Sequence, residues 1–123
     1  MRVLLVEDSA DVRTLLAATL REEGHEVIEA ADFASAAALL AGSEACDAVV
    51  ADVRLPDGSG IALADLAQDA GIPTLLCTGD IDAMVTLGRQ NIRHLRKPFP
   101  LDALPHWMWE VAGYAAPRRN IQP

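Results

Sequence analysis

Residues 48–60 read AVVADVRLPDGSG. The run that opens at Cys46 climbs through Val49, Val50 and Ala51 to Asp52, and Pro56, Asp57, Gly58 and Gly60 then break the chain. A strand with one wet face alternates apolar and polar residues, whereas an unbroken apolar run needs cover on both faces. The stretch therefore predicts a strand over 46–52 that is buried on both sides and ends on a carboxylate.

Working outward, RVLLVE (2–7), IPTLLCTG (72–79) and IRHLRK (92–97) have the same character, and HEVIEA (25–30) is a shorter, more alternating strand. Helical spacing fills the intervals. SADVRTLLAATLREEG (9–24) sets Val12, Leu15, Leu16, Thr19 and Leu20 on one side, with Asp8 or Ser9 to cap it and Gly24 to stop it. Asp32 caps FASAAALLAG, where Phe33, Ala36, Ala37 and Leu40 line one face. IALADLAQDAG (61–71) presents Leu63, Leu66, Ala67 and Ala70. DIDAMVTLGRQ (80–90) carries a short, poor helical pattern, and LDALPHWMWEVAG (101–113) is the last helix. Five strand–helix repeats in alternation demand parallel pairing, because each helix carries the chain back across the sheet.

On the last helix, Leu101, Leu104, Met108 and Val111 form the buried stripe. Trp107 flanks that stripe. Trp109, two residues on, points away and is a candidate partner contact. Pro105 would remove a hydrogen bond from a helix interior, so the regular helix is expected to start near it after an irregular first turn.

With 123 residues the chain fits one domain with a core of its own. Its 51% hydrophobic content argues against disorder. No apolar run approaches the roughly 20 residues that cross a bilayer, and the N-terminus lacks the features of a signal peptide. Cys46 and Cys77 form no CxxC, and His25, His94 and His106 show no metal-ligand spacing. Reduced thiols in the cytoplasm are expected. A net charge of −8 speaks against nucleic-acid binding. His25 and His106 read as surface residues, and Asp57 as a residue that shapes the turn before Gly58.

Ligands of an open parallel sheet bind beyond the carboxyl ends of its strands. There the sequence places Glu7 and Asp8, Asp52, Thr78 with Gly79, and Lys97 followed by Pro98. Alone, each has a commoner explanation: acids cap helices, a strand-end hydroxyl bonds backbone, and a lysine is usually solvated. Together they are the parts that phosphoryl transfer to an aspartate requires. Packed carboxylates repel one another, and a hard divalent cation such as Mg2+ relieves that cost. A carboxylate beside it can attack phosphorus, and a lysine neutralises the transferring oxygens.

The motifs VEDS (6–9), ADVRLPDGSG (51–60), LLCTGD (75–80) and RKPF (96–99) resemble those of the receiver domain of two-component response regulators, in particular single-domain, chemotaxis-regulator-like ones. The resemblance spans residues 2 to about 113. It implies a flavodoxin-like, doubly wound (βα)5 fold with a parallel five-stranded sheet of order 2-1-3-4-5. It implies Asp52 as the phosphoacceptor and Asp8 as a direct Mg2+ ligand. Glu7 would act largely through metal-bound water, with the Arg54 backbone carbonyl as a further ligand. It implies Thr78 as the switch hydroxyl, Lys97 as the phosphate-pairing lysine, and a cis bond before Pro98.

Two departures stand out. The family's usual aromatic three residues before the lysine is His94 here, which becomes the second switch candidate. The segment between Thr78 and Lys97 is short. Arg54, two residues beyond Asp52, is a large cation at a position that can gate water.

The expected organisation is a receiver over 1–116 with a short polar tail over 117–123. The expected function is that of a stand-alone receiver in a phosphorelay. It would accept a phosphoryl group on Asp52 from a histidine kinase or phosphotransfer protein, and no effector domain is expected after residue 113. It would catalyse only its own phosphorylation and dephosphorylation. It would signal to a protein target, or dimerise, through the face of the fourth helix, fifth strand and fifth helix, without touching nucleic acid or membrane. Two other readings are a pseudo-receiver that binds partners without phosphorylation and a small Asp-nucleophile phosphohydrolase. The latter usually carries a second Asp where this chain has Arg54.

Overall fold

The computed structural model describes residues 1–42, 46–89, 93–100 and 102–110, with the side chains of Ile81, Trp109 and Glu110 left out. Strands β1 (Arg2–Val6), β2 (Glu26–Ala30) and β3 (Ala48–Asp52) alternate with helices α1 (Ala10–Glu22) and α2 (Phe33–Ala41). A small hairpin, β4 (Arg54–Leu55) and β5 (Gly58–Ser59), leads into α3 (Gly60–Asp69). The chain continues through β6 (Thr74–Thr78), α4 (Ile81–Arg89), β7 (His94–Arg96) and α5 (Ala103–Glu110).

The main sheet runs β2-β1-β3-β6-β7, and every pairing in it is parallel. Counting only the strands of this sheet, that is the expected order 2-1-3-4-5. The apolar strands supply two cores, because successive side chains point to opposite faces. Val3, Leu5, Val50, Leu75 and Cys77 pack against α1 and α5 through Leu16, Leu20, Leu104, Trp107 and Met108. Leu4, Val6, Val49, Ala51 and Leu76 pack against α2, α3 and α4 through Ala36, Leu63, Ala67 and Leu87.

The expected faces of α2 (Phe33, Ala36, Ala37, Leu40) and α5 (Leu104, Met108) do meet the core, whereas α1 and α3 differ from the sequence reading in which edge of the stripe the sheet covers. In α1, Leu16, Ala17 and Leu20 are buried while Leu15 stays 51% exposed. In α3 the buried face is Gly60, Leu63, Ala64 and Ala67, which leaves Leu66 and Ala70 exposed. In each of these two helices an alanine outside the expected stripe, Ala17 in α1 and Ala64 in α3, turns into the core. Trp107 is buried within the core rather than beside it. The α5 helix begins ahead of Pro105. The proline falls in the first turn, where its missing N–H has no intrahelical acceptor to lose, and His106 N–H donates to the Asp102 carbonyl at 3.2 Å.

His25 is also a correction. It is buried where the chain turns back at Gly24, in the left-handed region at φ 91°, with the Met1 amino group 3.4 Å from the imidazole Nδ1. His106 is exposed. The expectations for Leu101, Trp109, Val111 and the tail over 117–123 lie outside what is described, as does the start of the last strand at 92. Among the described residues, no helix is long and apolar enough to cross a membrane.

Candidate functional site

The sheet's register assembles the site. Val6 lies beside Ala51 in the β1–β3 ladder, so Glu7 and Asp52 emerge side by side at the same edge. On the other flank of β3, Asp52 pairs with Cys77, and Thr78 follows. The β6–β7 ladder sets Thr78 beside Arg96, so Lys97 arrives next to them. The turn after β1 is tight: Ser9 caps α1 by accepting from Val12 N–H, and its own N–H donates to Glu7 Oε2 at 3.1 Å. The turn after β3 folds back over Asp52 because residue 60 has no side chain. A Cβ there would sit 2.2 Å from the Asp52 carbonyl oxygen.

Glu7, Asp8 and Asp52 each offer a carboxylate oxygen within 4.8 Å of the others. The Lys97 ammonium donates to Glu7 Oε1 at 2.8 Å and to Asp52 Oδ2 at 2.9 Å. The Lys97–Pro98 peptide is cis. Three carboxylates thus face one ammonium. Burial pushes the Asp52 carboxyl above its ordinary pKa of 3.8. The Lys97 hydrogen bond works against this, while the charges of Glu7 and Asp8 add to it. Burial alone would lower the Lys97 pKa, but its bonds to Glu7 and Asp52 outweigh that and hold it above 10.5. The two shifts carry different messages. Lysine has gained partners, whereas Asp52 has more negative charge and less water than one lysine offsets. Beside them, burial drives the Cys77 thiol up to about 12, so it stays protonated.

An open cleft of about 440 Å³ is lined by Asp52, Arg54, Thr78, Gly79, Asp80 and Lys97. Thr78 is buried, and its hydroxyl accepts from Asp80 N–H at 3.0 Å. Across the mouth, Arg54 forms an ion pair with Asp80 Oδ2. The other Asp80 oxygen accepts from Asp82 N–H at 2.9 Å and Ala83 N–H at 3.4 Å, the first turn of α4. Arg54 holds the Asp80 carboxyl below its usual range, and Asp80 raises the guanidinium in turn.

The site candidates thus fall into two groups. Glu7, Asp8, Asp52, Thr78, Lys97 and the Arg54 segment meet at one edge. His94 lies on β7, half-buried, and pairs in register with Leu76 rather than lining the cleft. Two contacts were not read from the sequence. Asp80 was passed over although an acid opening a helix is an N-cap signal. Asp57 does more than shape its turn: it accepts from Phe33 N–H at 2.6 Å and Ala34 N–H at 3.0 Å, and so ties the hairpin to the start of α2. Only tertiary structure reveals that partner.

Residues 3–108 match the family model of the response regulator receiver domain. The chain belongs to the response regulator receiver domain family. Such domains are signalling modules of two-component systems that interact with histidine kinases and downstream effectors. The chain is 38% identical over 109 residues to the transcriptional regulatory protein TcrA of Mycobacterium tuberculosis, a match covering 85% of this chain and 43% of TcrA. It is 39% identical over 108 residues to the response regulator FleR of Pseudomonas aeruginosa, covering 84% of this chain and 23% of FleR. It therefore spans less than half the length of these relatives. Among solved structures, a response regulator of Chloroflexus aurantiacus superposes with a TM-score of 0.81 at 28% identity, covering 92% of this chain and 98% of that one. The receiver domain of a sensor histidine kinase from Pseudomonas aeruginosa, solved with a magnesium ion in its active site cleft, superposes with a TM-score of 0.80 at 25% identity and the same coverage.

Proposed function

We propose that this receiver accepts a phosphoryl group on Asp52 from a phosphohistidine of a histidine kinase or phosphotransfer protein. The observation that carries the reading is the meeting of Glu7, Asp8 and Asp52 within 4.8 Å with a single lysine bonded to Asp52. An acidic cluster whose charge one ammonium does not balance is suited to a divalent cation, and an all-oxygen donor set favours Mg2+. Asp8, Asp52 and the Arg54 carbonyl would hold it, with Glu7 beside them, and when bound it neutralises charge on the transferring phosphoryl oxygens. The magnesium ion in the related histidine kinase's receiver supports this choice.

The chain's own residues do the rest. An Asp52 oxygen forms the new bond to phosphorus as the bond from phosphorus to the donor imidazole nitrogen breaks, and the imidazole takes up a proton. Lys97 stays within reach of the oxygens through which charge passes. The Thr78 oxygen already accepts from Asp80, which leaves its proton free for donation to a phosphoryl oxygen. Movement of Thr78 toward that group would pull on the Asp80 N–H and so on α4. The face of α4, β7 with His94, and α5 would then carry the change to a protein target.

Incubation with acetyl phosphate and Mg2+, followed by intact-mass measurement, tests the reading. One phosphoryl adduct on the wild type, absent from Asp52→Asn, is the expected result. No adduct, under conditions that label a control receiver, contradicts it.

A further inference from the structure

Glu7 is held at every polar group it has. Its N–H donates to the Ala30 carbonyl of β2 at 3.0 Å. Its carboxylate accepts from Lys97 Nζ and from Ser9 N–H. Its carbonyl accepts from Arg13 Nη1 at 2.7 Å, a charge-assisted bond to backbone that neither the phosphoryl chemistry nor the core requires. Arg13 makes that bond from the start of α1, where its own N–H donates to the Ser9 carbonyl at 2.8 Å. Its Nε pairs with Glu29 Oε1 on β2 at 3.4 Å, and the other Glu29 oxygen takes Arg21 Nη1 at 3.1 Å. The Arg13 side chain is 20% exposed against 51% for Arg21, so Arg13 is the sheltered end of this series. A chain of contacts thus runs from the last turn of α1, through the edge strand, to the peptide that joins Glu7 to Asp8.

The Glu7 carbonyl and the Asp8 N–H belong to one planar unit, so a fixed carbonyl fixes the direction in which the chain enters Asp8. Asp8 itself is exposed, and how its carboxylate meets those of Glu7 and Asp52 depends on that backbone. We propose that Arg13 is a positioning residue for the cation site: by clamping the Glu7 carbonyl it holds Asp8 in the geometry that Mg2+ demands. This deepens the proposed function and rests on its reading of the acidic cluster. A lone guanidinium so near would repel a divalent cation. Glu29 offsets that charge while it orients the fork, which leaves Arg13 a brace rather than a competitor. The effect is selective between ions. Mg2+ demands near-ideal octahedral geometry, whereas Ca2+ accepts longer and less regular coordination. Loosening the peptide therefore penalises Mg2+ more than Ca2+, while a change of charge alone acts on both alike.

The experiment is to titrate the isotope-labelled wild type and variants with Mg2+ and, separately, with Ca2+. Backbone amide shifts in two-dimensional NMR give the affinity, and their dispersion shows that each variant is folded. Arg13→Ala should weaken Mg2+ binding by about tenfold, the lower end for partners that orient metal ligands. It should weaken Ca2+ binding by less, so that the preference between the ions moves toward Ca2+, which a merely weakened structure would not produce. Arg13→Lys should restore part of the Mg2+ affinity, since an ammonium on a similar stem still donates to the carbonyl without the fork to Glu29. Should Arg13→Ala fail to fold, Arg13→Lys carries the test, with a smaller shift of the same kind. Mg2+ affinity equal to wild type in the folded variant, equal loss for the two ions, or tighter binding of both would overturn this inference while leaving phosphorylation of Asp52 intact. A wild type with no Mg2+-dependent shifts overturns the reading of the acidic cluster and this inference with it.

Discussion

At the scale of single residues, the site is built from one excess and one omission. The excess is negative charge. Folding raises the Asp52 pKa chiefly by burial, with Glu7 and Asp8 adding to it. For an acid so shifted, the protonated form is favoured by folding, so its contribution to stability declines as pH rises from 3.8 through the higher folded value. At neutral pH without metal, the charge on Asp52 therefore works against the fold. Asp52→Asn is expected to raise the Tm by a few degrees in chelator and to lose most of the gain that Mg2+ gives the wild type, both read by thermal melts. The omission is the side chain of residue 60. A Cβ there would meet the Asp52 carbonyl oxygen at 2.2 Å, and neither backbone segment yields cheaply. Gly60→Ala should cost about 1–3 kcal/mol in urea unfolding and should reduce labelling by acetyl phosphate. That Glu7, Asp52 and Lys97 would lie together was legible because each ends a strand of one parallel sheet, although each alone has a commoner explanation. The burial of His25 was not legible, because Met1, whose amino group lies 3.4 Å from its Nδ1, is a neighbour that only folding brings near.

At the scale of elements, periodicity identified the described helices and the buried face of α2 and α5, but not that of α1 and α3. The α1 pattern holds five residues of one broad face, and the sheet chose the edge with Leu16, Ala17 and Leu20. Nothing in the spacing says whether Leu15 or Ala17 will meet the strands. Caps were more readable. Asp32 accepts from Ser35 N–H at 2.8 Å as its position before the helical run implies, and hydrogen bonding from the Ser35 side chain, with that backbone bond, lowers its pKa below 3.8. Its contribution is therefore present above the unfolded value and lost as pH falls through the lower folded one. Asp32→Asn keeps an accepting oxygen and cannot titrate. Its circular dichroism should match wild type at neutral pH and fall less steeply below about pH 4. The hairpin of β4 and β5 was read simply as a turn, since pairing of two residues with two leaves no sequence period to detect.

At the scale of the whole molecule, the unbroken apolar run into Asp52 carries the architecture. Odd and even residues of the central strands feed different cores, α1 with α5 on one side and α2 to α4 on the other. Leu76, fully buried on β6 between β3 and β7, belongs to the second core. Leu76→Ala should cost about 2–5 kcal/mol in urea unfolding, with the loss shared by the site, since Thr78 and its link to α4 ride on the same strand. The site itself exists only where four distant stretches meet, at residues 7–8, 52–54, 78–80 and 97. That convergence could be anticipated because a parallel sheet sends all its strand ends to one edge, but the ion pair of Arg54 with Asp80 depends on loop geometry that no strand period encodes.

The central claim is that Asp52 is the residue that takes the phosphoryl group, and it can be tested at the level of the atom. The protein is labelled with acetyl phosphate and Mg2+, the acyl phosphate is reduced with borohydride to homoserine, and tandem mass spectrometry reads the position. Homoserine at position 52, and at no other acidic residue, is the result this account predicts. Homoserine at Asp8, Asp57 or Asp80 in place of Asp52 would contradict it.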